Sequence, residues 1–239
     1  MQSEEIKHVM NKNGVALAEL ARKHGIPRAD FVKLLKNEKE FVNFIWGLNP
    51  SNEKWFNGLK VNAEKKGYRV HLIPYLMVDY SKPLLKTIML AGPDSNPEHN
   101  HIRHVDEHHY HYELEKIVKV ETIVLLNVFK GVKDNNNEEA RLNKGNYYKV
   151  LNFRNENILD NITPHALFAL GIKHPKLNDE LGVEYAYAVE TQGVLSCHVG
   201  EYDINYAVLV NKHRREVTLV YKEQSMNYPG MWFALKRGK

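Results

Sequence analysis

The chain has 239 residues, 43% of them hydrophobic, which is enough for one large domain or two small ones with a proper core. A formal net charge of +4 is too slight a bias to bind nucleic acid by charge alone, so a nucleic-acid partner would need a local patch. The single cysteine, Cys197, excludes an internal disulfide and any cysteine-based zinc motif, and no apolar run reaches the roughly 18 residues that would suggest a membrane span.

The segment VALAELARKHGIPRADFVKLLK carries Val15, Leu17, Leu20 and Ala21 at helical spacing, with Gly25 to end one helix and Pro27 to open the next. Two short helices across a glycine-containing turn predict a helix-turn-helix unit, on which Arg28, Lys33 and Lys36 are the residues that would meet DNA phosphates. SNEKWFNGLKVNAEKKG predicts a further helix capped by Ser51 and stopped by Gly67. Beyond Gly67 the texture changes. YRVHLIPYLMV, KPLLKTIML, EKIVKVETIVLLNV, NYYKVLNF, EYAYAVETQ, DINYAVLVN and REVTLVYKE are short β-branched and aromatic runs between turn-forming clusters. They predict an all-β domain, a sandwich or barrel. The expectation is therefore an α+β chain, with an all-α domain over residues 1–66 and an all-β domain over 67–239. With no N-terminal stretch resembling a signal peptide, the expected location is cytoplasmic.

Six of the thirteen histidines fall in HNHIRHVDEHHYHYELE, residues 99–115. His109, His111 and Glu115 are spaced by two and four residues, which puts all three on one face of a strand. Imidazole nitrogens with a carboxylate oxygen suit divalent iron, manganese, nickel or zinc. A distant partner is His165 in DNITPHALFAL, after Pro164 and read here as lying on a later strand. The facing of the motif strand is at odds with this. From 108 to 128 the even positions, among them Tyr112, Leu114, Val118, Val120, Val124, Leu126 and Val128, form the more apolar face. A single-faced strand would then turn the odd-numbered ligands away from the core, whereas a strand buried on both sides, or a bulge, would not.

The His109-x-His111-x3-Glu115 spacing resembles the first metal motif of the cupin superfamily, although Thr122 stands where that motif has glycine, and Pro164-His165 resembles the histidine of the second. Taken with the N-terminal helix pair, the chain up to about residue 191 resembles two groups that join a helix-turn-helix to a cupin barrel. One comprises small-ligand transcription regulators. The other comprises phosphonate-oxidising iron enzymes: hydroxypropylphosphonate epoxidase, hydroxyethylphosphonate dioxygenase and methylphosphonate synthase. GYRVHLIPYLMVDYSKPLLKTIML, HYELEKIVKVETIV and DNITPHALFA are the segments that resemble the epoxidase.

That second resemblance implies a jelly-roll barrel holding iron(II) through His111, Glu115 and His165, with His109 as an additional metal-ligand candidate. It further implies a dioxygenase-type oxidoreductase acting on a small anionic substrate, best a hydroxyalkylphosphonate, with dioxygen. Lys12, His71, Tyr75 and His108 are the matching substrate-binding positions. A homo-oligomer is expected, and the C-terminal strands are expected to extend a sheet or build a subunit contact. The alternative is a transcription regulator whose cupin senses a small molecule or metal. A redox-neutral metalloenzyme would follow if His109 completes a four-ligand site.

Overall fold

The computed structural model describes residues 50–96, 98, 118–129, 145–191, 195–196, 203–221 and 230–238. The helix-turn-helix segment and its basic residues lie outside them. The chain divides into two units, Met1–Glu53 and Lys54–Lys239. Helix α1, Pro50–Lys65, packs its Leu59 and Ala63 with sheet residues. Proline suits its first turn, Glu53 and Lys65 complement its dipole, and Gly67, at φ 72°, turns the chain out of it.

Among the described residues eight strands form one mostly antiparallel sheet: β1 (Arg69–Asp79), β2 (Val118–Asn127), β3 (Leu159–Asn161), β4 (Tyr185–Val189), β5 (Leu195–Ser196), β6 (Asp203–Asn211), β7 (Arg215–Tyr221) and β8 (Met231–Arg237). Their order is β1-β2-β8-β4-β6-β5, with β3 also on β8 and β7 also on β6. All pairs are antiparallel except β4 with β8, where Tyr187, Ala188 and Val189 lie beside Met231, Trp232 and Phe233. The C-terminal strands therefore build the sheet's interior as well as extending it. The register of β1 on β2 runs from Arg69 opposite Asn127 to Asp79 opposite Val118, and it slips between Ile73 and Leu76. Pro74, which has no N–H to give the ladder, sits in that irregularity, and the Thr122 hydroxyl donates to its carbonyl at 3.0 Å.

The region after residue 67 is not all-β. Two segments expected as strands are helices: KPLLKTIML supplies α2 (Leu84–Ala91) and NYYKVLNF lies in α3 (Gly145–Glu156). His165, expected on a strand, is in α4 (Pro164–Lys173), and α5 (Leu177–Leu181) follows. In α2 the buried residues Leu84, Thr87, Ile88 and Ala91 recur at three- and four-residue spacing, a helical stripe. Helices cover both faces of the sheet. On one, α2 and α4 bury Ile88, Ala91, Leu167, Phe168 and Leu170 against Val78, Ile123, Leu125, Ala188, Tyr206, Val208 and Trp232. On the other, α1 and α3 bury Leu59, Val150 and Phe153 against Val124, Leu126, Ala207 and Phe233. Each large side chain so buried contributes about 1.5–3 kcal/mol. The approach of α4 is close: a Cβ on Gly171 would lie 3.0 Å from Val208 Cγ1 and 3.1 Å from Ala91 Cβ.

The strand β2 is buried on both sides, with Ile123 and Leu125 in one core and Val124 and Leu126 in the other. A single polar face is therefore absent over residues 123–126, while the motif residues His109, His111 and Glu115 lie outside the described residues. Among the described residues no helix is long and apolar enough to cross a membrane.

Candidate functional site

One end of the α4-covered face is polar. Tyr80, directly after β1, donates its hydroxyl to Glu121 Oε1 at 2.5 Å and lies 3.2 Å from the Thr163 hydroxyl. Lys236 Nζ lies 4.0 Å from the same carboxylate oxygen. The Glu121 side chain is only 10% exposed, and among the described residues its Oε2 has no hydrogen-bond donor. Thr163 is also the cap of α4, its Oγ1 accepting from the Ala166 amide at 3.3 Å. One threonine thus starts the helix and touches the tyrosine that holds Glu121.

His165 lies in the first turn of α4 and is 2% exposed. Its ring lies against Tyr80 with centroids 5.5 Å apart, and its Nε2 is 3.2 Å from the Lys82 carbonyl. That carbonyl belongs to a tight turn. The Ser81 amide and hydroxyl both donate to Asp79 Oδ1, and Lys82 Nζ pairs with Asp79 Oδ2 at 3.3 Å. The Ser81 hydroxyl is the main reason the Asp79 carboxyl is held below its ordinary pKa. Burial lowers the pKa of His165, and this outweighs the opposing pull of the Lys82 carbonyl and Asp79. The ring is therefore neutral at pH 7. When Nε2 carries the hydrogen and donates it to Lys82, the lone pair resides on Nδ1. This is the pattern of a metal-ligating histidine, whose second nitrogen is anchored by a backbone carbonyl.

The expected site residues fall into three groups. Lys12, His108, His109, His111 and Glu115 lie outside the described residues. Tyr75 lies in the β1 irregularity, where only its backbone is described. His71 is opposite Leu125 on β1, near the other end of α4. Burial lowers its pKa, Glu180 opposes this and His174 adds to it. His174 and Glu180 are themselves paired at 2.8 Å, immediately beyond α4 and within α5. His165 and His174 are separated by nine helical steps, about 14 Å. The structure therefore does not bring His71 together with His165. Among the described residues no group of three or more His, Cys, Asp or Glu side chains is arranged to hold a metal ion.

Sequence reasoning missed Tyr80, Glu121, Thr163 and Lys236. The available signal was the carboxylate of Glu121 in KVETIVLL, just ahead of residues bound for two cores. A second polar group lies around β4. Glu190 is fully buried, with its Oε1 3.4 Å from the Tyr206 amide, while Thr191 and Arg154 both donate to Asn161 Oδ1, at 2.8 and 2.7 Å. No protein-family profile, curated protein or solved structure matches the chain.

Proposed function

We propose that the chain is a metal-dependent oxidoreductase whose site lies at the Tyr80 end of the sheet. More particularly, it is read as a non-haem iron(II) oxygenase acting on a small anionic substrate, best a hydroxyalkylphosphonate. His111, Glu115 and His165 would hold the metal, with His109 beside them, and Lys12, Tyr75 and His108 would contact substrate. The cupin resemblance supplies this ligand set. The scaffold for it is the helix-covered sheet, with a helix-turn-helix preceding it, and the reading does not depend on a closed jelly-roll barrel.

The observation that carries the proposal is His165: a buried, neutral imidazole whose Nε2 is hydrogen-bonded to the Lys82 carbonyl. Chain connectivity adds to it. Glu115 precedes Val118 by three residues, so their Cα atoms are at most about 11 Å apart. Val118 pairs with Asp79, the neighbour of Tyr80, whose ring lies on His165. This connectivity supports a reading in which Glu115 comes to the His165 end of β1 and β2.

Bound iron(II) would supply dioxygen activation for removing hydrogen from carbon. The chain's part is orientation and exclusion of water. The Asp79–Lys82 turn fixes the His165 ring through its carbonyl, and the ring is itself buried. Tyr80, whose ring lies on His165, holds Glu121.

After reconstitution with iron(II), the wild type is expected to retain stoichiometric metal and to consume dioxygen when 2-hydroxyethylphosphonate is added. Glu115→Ala and His165→Gln are expected to lose at least tenfold in metal affinity, comparable to the loss of an anchoring partner. A wild type that holds no stoichiometric iron after reconstitution rules the proposal out.

A further inference from the structure

We propose that Glu121 is a specificity-determining residue, the acceptor for a hydroxyl group of the bound small molecule. The inference rests on the substrate reading above and adds to it the residue that distinguishes a hydroxylated substrate from its deoxy analogue.

Glu121 leaves β2 toward the α4-covered core, one turn of the pleat before Ile123, and nine-tenths of its side chain is buried. Tyr80 satisfies Oε1. Oε2 is buried, and no donor reaches it among the described residues. Folded proteins rarely leave a carboxylate oxygen in that condition unless something outside the chain completes it.

The charge of Glu121 is already offset from two directions. Lys236 Nζ is 4.0 Å away, and α4, whose N-terminal end is the positive end of its dipole, begins at the Thr163 that Tyr80 also touches. What is lacking is a hydrogen to accept, not a second positive charge. A neutral hydroxyl meets that requirement, whereas an ammonium group would leave Lys236 and the helix end uncompensated. The position is apt as well, because the Tyr80 ring that orients Glu121 is the one that lies on His165. A hydroxyl bound there would sit beside the proposed reacting centre.

The test is calorimetric titration of the full chain with 2-hydroxyethylphosphonate and, separately, with ethylphosphonate, which lacks the hydroxyl. The wild type is expected to prefer the hydroxylated probe by roughly tenfold to a hundredfold, the usual range for a hydrogen bond to a charged group. In Glu121→Met, an apolar replacement of similar size, that preference is expected to fall to near unity while ethylphosphonate affinity is kept. Thermal melting establishes that the variant is folded. Should it not fold, Glu121→Asp, which withdraws the carboxylate by one methylene, is read in its place and is expected to reduce the preference. A preference unchanged in a folded variant overturns the role of Glu121 but leaves the substrate reading intact, and indicates that a buried water completes Oε2. A wild type that binds neither phosphonate overturns both.

Discussion

At the scale of single residues, the face covered by α4 depends on contrasts between neighbours. Phe168 is fully buried and meets the Tyr206 ring edge-on, with centroids 5.3 Å apart. Phe168→Ala should cost about 3–5 kcal/mol, through lost transfer energy and the cavity left behind, measured as a shift in the urea unfolding midpoint. Tyr80 and Glu121, a few side chains away, make a polar contact inside the same apolar layer. Little of this contact could be read in the sequence. Glu121 has Val120 and Thr122 beside it, and only the register of Asp79 on Val118 brings Tyr80 within reach. His165 was legible as a residue of interest from its apolar surroundings, but its anchor on the Lys82 carbonyl is a long-range contact that no local spacing encodes.

Elements are the level at which sequence reading and structure part most clearly, and the reason is periodicity. The strands β1, β2, β4, β6 and β7 coincide with runs rich in Val, Ile, Leu and Tyr, as expected from propensity. The helix α4 is buried at every position from Pro164 to Gly171, so it has no polar side to mark a helical period. The helix α2 spans only 8 residues, a length at which an apolar run reads equally as strand. Both have punctuation at the start that could have decided the matter: Pro83 before α2, and Thr163-Pro164 at the cap and first turn of α4. The cap is open to a direct test. Thr163→Ala removes the acceptor for the Ala166 amide and should lower stability by about 1–2 kcal/mol in chemical denaturation. Glycine at the same position keeps the open backbone and should lose only a few tenths of a kcal/mol from the cap itself.

For the molecule as a whole, the mixed α+β character was legible but the distribution of helices was not. Expecting all helices before residue 67 overlooked those that cover the sheet, and with them the requirement for two cores. Stability of this assembly should depend on pH through His71, whose folded pKa is depressed by burial. The unfolded chain takes up a proton near the ordinary value of about 6.5, whereas the folded chain resists it. The contribution is therefore complete above about pH 6.5 and is lost as the pH falls through that value toward the lower folded one. Melting temperatures measured from pH 7.5 down to 5 should fall more steeply for the wild type than for His71→Gln. Identical slopes would remove His71 as a source of the dependence.

The position of β8 has a consequence for how the chain is made. Met231–Arg237 follows the other seven described strands in sequence, yet it lies between β2 and β4 and pairs with both, and with β3 as well. Until it emerges from the ribosome, the β1–β2 pair and the β4–β6 group have no shared backbone ladder. The nascent chain must keep two unfinished sheet edges apart until Met231–Arg237 is made, and that segment then joins them as a keystone.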